Sequence, residues 1–330
     1  MIASDPQYYV DGVLAADRRI LAKTITLVES GHTDHQALAS RIVDQLLPHS
    51  GNAVRIGVTG VPGVGKSTFI EAFGMHLVDQ GKRLAVLAVD PSSSRSGGSI
   101  LADKTRMERL AVAPQAFIRP SPSSGSLGGV ARKTRETLLV CEAAGFDVVL
   151  VETVGVGQSE TAVASMVDFF LVLMLAGAGD ELQGIKRGVL ELADAVAVNK
   201  ADGDNVEKAR RARRTYENAL HLLNPATPTW TPPVLTCSAL EMTGIDTIWQ
   251  TALDYHRKLS GNGELAQKRR KQSIDWLWAL VEEGLKSRFL SHPRVKDRLA
   301  AITRRVERGD TAPTVAAGEL LFSLDNDGPV

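Results

Sequence analysis

Cysteine is nearly absent: Cys141 and Cys237 are the only two in 330 residues, and they lie far apart in the chain. That excludes a disulfide framework and a CxxC metal site, and it fits a reducing compartment. Neither sign of charge is in excess, with 38 Lys and Arg against 38 Asp and Glu. Such a balance argues against a surface that tracks nucleic acid or anionic lipid along its whole extent. Long hydrophobic runs are missing too. The longest, Phe169 to Ala176, falls far short of the roughly 20 residues a membrane span requires and reads as a buried strand. From Met1 to Ile20 the chain carries Asp5, Asp11 and Asp17 and no basic stretch followed by an apolar core, which speaks against a secretory signal or a transit peptide. The expectation is a soluble, cytoplasmic protein with no membrane or nucleic-acid partner.

What is present is an ordinary 44% of apolar residues, enough for a sizeable core, in a chain long enough for two domains or for one large domain with attachments. Three textures follow one another. Residues 1–52 are helical in pattern: Val10, Leu14, Leu21, Ile25 and Val28 share one face, and a second helix is predicted after Thr33 and Asp34, with Leu38, Ile42 and Leu46 on its apolar side. Residues 53–256 alternate helical stretches with short apolar runs at Arg55–Thr59, Leu84–Val89, Ala116–Ile118, Val148–Val151, Phe169–Leu175, Ala195–Val198 and Val234–Thr236. Runs of that unbroken type are strands buried on both faces, as in a parallel sheet covered by helices. Residues 257–330 return to helix. Ile274, Leu277, Trp278, Val281 and Leu285 form one stripe and Val295, Leu299, Ile302 and Val306 another. The second texture predicts an α/β fold, a mainly parallel sheet flanked by helices, with helical extensions at both ends. The paired apolar stripes predict an oligomer contact on the C-terminal arm, and Lys268, Arg269, Arg270 and Lys271 read as a solvated helix start.

The chemistry lies in the central region. Gly60, Val61, Pro62, Gly63, Val64, Gly65, Lys66 and Ser67 spell a complete GxxxxGK[ST] phosphate-binding loop, entered from the predicted strand Arg55–Thr59 and opening a helix from Thr68. Glycines let consecutive backbone N–H groups face phosphates, and the helix N-terminus adds favourable potential. Lys66 is suited to the β- and γ-phosphates and the Ser67 hydroxyl to Mg²⁺. Asn199, Lys200, Ala201 and Asp202 form an NKxD string after a strand. Its aspartate can accept two hydrogen bonds from guanine N1–H and the exocyclic amine, a pattern adenine does not offer. Ser238, Ala239 and Leu240 follow another strand and resemble the loop whose backbone N–H contacts guanine O6. The predicted nucleotide is GTP.

Between these lie the candidates for sensing the γ-phosphate. Asp90 ends a strand, Asp103 sits in a polar stretch, and Glu152 opens Glu152-Thr-Val-Gly155, in the position of a DxxG motif. A carboxylate at a strand end beside the phosphate loop can hold Mg²⁺ directly or through water, so Ser67, Asp90, Asp103 and Glu152 are the candidate metal residues. The Gly155 N–H can meet the γ-phosphate. Many GTPases place a water-orienting glutamine directly after this glycine. Here Val156 follows, and the nearest glutamine is Gln158, which predicts slow hydrolysis until a partner accelerates it.

On Gly60–Ser67, Asp90-Pro-Ser-Ser, Asp103-Lys-Thr-Arg-Met107, Glu152-Thr-Val-Gly-Val-Gly-Gln-Ser-Glu160, Asn199–Asp202 and Gly177-Ala-Gly-Asp-Glu-Leu-Gln-Gly-Ile-Lys186, the chain resembles the MeaB/ArgK-type GTPases. These methylmalonyl-CoA mutase-associated GTPases belong to the SIMIBI class, and the resemblance covers nearly the whole length. It implies a homodimeric G-protein chaperone of adenosylcobalamin-dependent methylmalonyl-CoA mutase, with the adenosylcobalamin belonging to the partner. It also implies that Lys66, Asp103, Glu152 and Gly155 serve hydrolysis, that Asp180, Gln183 and Lys186 relay the nucleotide state to the mutase, and that the C-terminal helices supply the dimer contact. Two rival readings are a kinase of an amino-acid transport-binding protein, against which the NKxD string speaks, and a metallochaperone GTPase, which usually shows a His-rich run or a cysteine motif.

Overall fold

A computed structural model describes residues 5–89, 107–121, 127–153, 159–176, 187–222 and 227–325. Asp90, Asp103, Gly155, Asp180, Gln183 and Lys186 lie outside the described residues. Within them the chain forms two compact units, Met1–Gln272 and Ser273–Val330.

The first unit is built on seven strands: β1 Val54–Gly60, β2 Leu84–Val89, β3 Ala116–Ser121, β4 Val148–Thr153, β5 Phe169–Leu175, β6 Ala195–Asn199 and β7 Val234–Thr236. All pair in parallel, in the order β3-β2-β4-β1-β5-β6-β7. Each coincides with one of the seven apolar runs. All residues of β2 and of β4 are buried, which explains why these strands read as unbroken hydrophobic segments rather than as alternating ones. The residues of successive positions divide between two cores. Val149 and Val151 of β4 enter one, and Ile56 and Val58 of β1 with Leu150 of β4 enter the other.

The first core is covered by α1 Pro6–Leu14, α2 Arg18–Glu29 and α3 Thr33–Leu46, together with α6 Leu127–Ala143. The second is covered by α4 Lys66–Asp79, α5 Glu108–Val112 and α10 Ile245–Gly261. The connections α7 Ser159–Ala164, α8 Arg187–Glu191 and α9 Val206–His221 complete the layers, and α11 Glu264–Ser291 carries the boundary between the units. Helices α12 Pro293–Glu307 and α13 Pro313–Asp325 pack on each other in the second unit, where Val295 and Ile302 are buried.

Three local expectations are corrected. The amphipathic stretch from Val10 to Val28 is two helices. The chain turns at Ala15 and Ala16, Ala16 lying at φ 57°, and the Asp17 carboxylate accepts from the N–H groups of Arg19 and Ile20 to start α2. Leu14, counted on the shared face, is exposed. Helix α3 begins at Thr33 itself, with His32 at the cap position and no side chain capping it. Finally, Lys268 and Arg269 are not solvated. Arg269 Nε donates to Asp168 Oδ1 at 2.8 Å and its Nη2 to Asp168 Oδ2 at 2.6 Å and Ala53 O at 2.8 Å. Lys268 Nζ reaches Asp168 O at 2.5 Å and Tyr255 Oη at 2.9 Å, and lies 3.3 Å from Asp194 Oδ2. The two aspartates lie far upstream in the chain, so local charge clustering could not reveal them.

Candidate functional site

The parallel register brings the C-terminal ends of the strands to one edge of the sheet. Gly60 pairs with Leu173, Val58 with Glu152, Leu175 with Asn199 and Val198 with Thr236. The chain runs from β1 outward to β2 and β3, returns in β4 and crosses to β5 on the other side, so β1 lies at the point where the strand order reverses. In open α/β sheets ligands bind outside the carboxyl ends of the strands at such a point.

The loop leaving β1 is shaped by its sequence. A Cβ on Gly60 would stand 2.6 Å from the Leu173 carbonyl oxygen, so only glycine lets β1 run this close to β5 before turning. Gly63 and Gly65 hold φ 80° and 90°, the left-handed region that glycine enters without penalty. Gly65 precedes the first residue of α4, and the carbonyl of Gly65 accepts from Phe69 N at 2.8 Å. The N–H groups of the first helical turn therefore face outward at the end of a positive dipole. Lys66 Nζ donates to Gly60 O at 2.8 Å. Burial lowers the Lys66 pKa, against the opposing pull of the Glu152 and Glu160 carboxylates. Ser67 follows in the same turn. Thr68 is exposed, as are Pro62 and Gly63.

The guanine-type residues assemble beside this loop. Asn199, buried at the end of β6, joins three segments: its Nδ2 donates to Val64 O at 2.9 Å, and its Oδ1 accepts from Ala239 N at 3.2 Å and from Cys237 Sγ at 3.5 Å. Burial pushes the Cys237 thiol pKa up to about 12, so it serves as a neutral donor. Lys200 sits at φ 60°, unusual for a residue with a side chain, and this geometry lets its Nζ reach Gly63 O at 2.9 Å. Asn205 Nδ2 donates to Lys200 O at 2.6 Å and braces the turn. The Ser238 hydroxyl donates to Asp202 Oδ2 and accepts from Glu241 N at 3.1 Å, while Leu240 is exposed at the rim. Asn199 and Lys200 thus reach the loop Val61 to Gly65, with Ala239 bonded to Asn199 and Ser238 to the Asp202 carboxylate.

Glu152 ends β4 next to Val58 of β1 and is buried, and the neighbouring Thr153 and Thr59 hydroxyls share a hydrogen bond of 2.7 Å. The Glu152 charge acts on Lys66. Among the described residues no group of three or more His, Cys, Asp or Glu is arranged to hold a metal. Mg²⁺ does not need one: it takes one or two carboxylates together with phosphate oxygens and waters, and Ser67 and Glu152 offer that donor set. Sequence reasoning missed the Cys237 thiol, the Thr59–Thr153 pair and the proximity of Glu160 to Lys66. None of these has a local sequence signal, because the first two depend on strand register and the third on how α7 packs against the sheet. No helix among the described residues is long and apolar enough to cross a membrane.

Comparison with known proteins gives a consistent picture. The family model described as "Methylmalonyl Co-A mutase-associated GTPase MeaB" matches residues 21–294. The chain is 57% identical over 267 residues to "GTPase ArgK" of Escherichia coli, covering 81% of each chain. It is 46% identical over 334 residues to "Methylmalonic aciduria type A homolog, mitochondrial" of Mus musculus, covering 97% of this chain and 80% of the mouse protein. The crystal structure of a protein named "LAO/AO transport system kinase" superposes with a TM-score of 0.79 at 42% identity, over 99% of both chains.

Proposed function

Because the chain belongs to the methylmalonyl-CoA mutase-associated GTPase family, we propose that it is a Mg²⁺-dependent GTP-hydrolysing switch that attends a cobalamin-dependent acyl-CoA mutase. The observation that carries the nucleotide half of this reading is that Asn199 and Lys200 bond to the phosphate loop while Ser238 bonds to the Asp202 carboxylate. In it the outward N–H groups of Gly63 to Ser67 hold the phosphates, Lys66 turns from Gly60 O to the β- and γ-phosphates, and Asp202 reads guanine. Ser67 and Glu152 hold Mg²⁺ together with Asp90 and Asp103. The ion supplies charge neutralisation between the β- and γ-phosphates. Order around Asp103, Glu152 and Gly155 then differs between the GTP and GDP states, and Asp180, Gln183 and Lys186 carry that difference to the mutase.

The mutase half rests on family membership. Its test is a pull-down of methylmalonyl-CoA mutase by this protein with GDP and with a non-hydrolysable GTP analogue. The mutase is expected to be retained in a nucleotide-dependent amount, and Lys66→Ala is expected to erase the difference between the two nucleotides. Retention of no mutase in either state would remove the chaperone role and leave the GTPase. The kinase activity for which the similar crystal structure is named belongs to that protein. For this chain the oriented Asp202 favours guanine, and ATP is expected not to displace labelled GDP.

A homodimer is part of the same proposal. Trp278 and Leu285 are each 60% exposed on α11, and Ile274, Leu277 and Val281 extend their stripe. An apolar run of that size on one helix face suits a second copy. Trp278→Glu is expected to shift the protein from dimer to monomer in sedimentation velocity while GDP binding persists. A wild-type protein that is already monomeric at micromolar concentration would remove the dimer.

A further inference from the structure

Helix α7, Ser159–Ala164, follows β4 in the chain and packs against β4 and β1. Val163 lies against Gly57 of β1, where an added Cβ would come within 2.9 Å of its Cγ1, and Glu160 stands one turn earlier in the same helix. Glu160 is only 8% exposed, and among the described residues its Oε2 has no hydrogen-bond partner. The preceding Ser159 is fully buried, and its hydroxyl likewise has none among them. A buried polar atom without a partner costs about 1–3 kcal/mol, and a charged one more. Two of them in one turn at the edge of a phosphate site mark a turn whose partners arrive with the ligand.

Glu160 is close enough to Lys66 for its charge to act on the ammonium, yet Lys66 donates to Gly60 O rather than to this carboxylate. Lys66 is the residue that meets the β- and γ-phosphates, so Glu160 stands near where the γ-phosphate is transferred. A carboxylate repels a phosphate unless a proton donor lies between them, and the donor that hydrolysis requires is the attacking water. The glutamine that many GTPases use to orient this water is replaced here by Val156.

We infer that Glu160 is a further catalytic residue of GTP hydrolysis, the partnerless oxygen of its buried carboxylate accepting a hydrogen bond from the attacking water beside Lys66. The water oxygen bonds to the γ-phosphorus as the bond from that phosphorus to the β–γ bridging oxygen breaks. GDP leaves with the bridging electron pair, and one water proton passes through the Glu160 carboxylate to the inorganic phosphate, leaving Glu160 as it began. Residues that position or deprotonate a nucleophile contribute about 10²–10⁴-fold.

This rests on the GTPase reading, and the experiment separates the two. Single-turnover phosphate release from GTP with Mg²⁺ is measured for the wild type, Glu160→Gln and Lys66→Ala, alongside dissociation constants for GDP and a non-hydrolysable GTP analogue. Glu160→Gln keeps the shape and removes the charge. It is expected to slow the chemical step at least about a hundredfold, the lower reach of such groups, with both dissociation constants within about threefold. An unchanged rate with unchanged affinities makes Glu160 structural and overturns the inference. An unchanged rate with tighter binding of both nucleotides makes it a counter-charge to Lys66 and overturns it equally. If Glu160→Gln does not fold, Glu160→Asp is read for the same fall in rate, because it withdraws the oxygen by one methylene while keeping the charge. Wild-type release no faster than that of Lys66→Ala removes the GTPase reading itself.

Discussion

Asp202→Asn is expected to weaken GDP binding by about two to three orders of magnitude and to admit xanthosine diphosphate in its place. The two hydrogen bonds that guanine N1–H and its exocyclic amine give to a carboxylate are each worth about 1.5–3 kcal/mol. Asparagine keeps one acceptor and turns an N–H₂ toward the amine. Xanthine carries a carbonyl there and accepts that donor. The substitution should spare the fold, since the local backbone contact at this residue, Asn205 N to Asp202 O at 2.9 Å, does not involve the side chain. The Ser238 hydroxyl, which now donates to Asp202 Oδ2, can still donate to the amide oxygen. Calorimetric titration of the variant with both diphosphates is the measurement. Unaltered GDP affinity would mean that Asp202 does not read the base.

The second large effect concerns stability. Asp168 is 1% exposed and takes both arms of the Arg269 guanidinium, while its Oδ2 also accepts from Arg55 N at 3.0 Å. Removing one member of a buried pair leaves the other charge unpaired and costs about 3–5 kcal/mol, whereas replacing both with apolar groups is often close to neutral. Arg269→Met and Asp168→Ala are each expected to lower the melting temperature by roughly 6–20 °C, at about 2–4 °C per kcal/mol for a domain of this size. The double variant should lose clearly less than the sum of the two. Strict additivity in thermal melts would show that the two side chains do not act as a pair. Glu142 makes a comparable contact with Arg55, through Nε and Nη2, both at 2.8 Å. The end of the sheet opposite the phosphate loop is thus held by charged pairs rather than by apolar packing alone.

The seven strands were legible because a parallel strand covered on both faces must be apolar throughout, and few other segments of a soluble chain are. The phosphate loop was legible because its backbone needs left-handed φ at Gly63 and Gly65 and a missing Cβ at Gly60, demands that only glycine meets at such spacing. The break at Ala16 was not, since an alanine at positive φ carries no signal of its own. The role of Lys268 and Arg269 was hidden for a different reason. Four consecutive cations look solvated until the fold brings Asp168 and Asp194 beneath two of them. Glu160 stood in plain view within the Glu152-to-Glu160 string, but its burial beside Lys66 follows only from how α7 lies across β1.

The position of β1 also bears on how the protein is made. Its strand partners are β4 and β5, so Val54 finds Val148 and Ile56 finds Phe169 only after both have left the ribosome. At about 5–20 residues per second, a nascent chain carries the phosphate loop for roughly 5–20 s before the strand beneath it can be flanked. Nucleotide therefore cannot guide early folding of this chain. It can bind only to a nearly finished unit, and translation stalled before residue 148 would leave an apolar central strand for chaperones to shield.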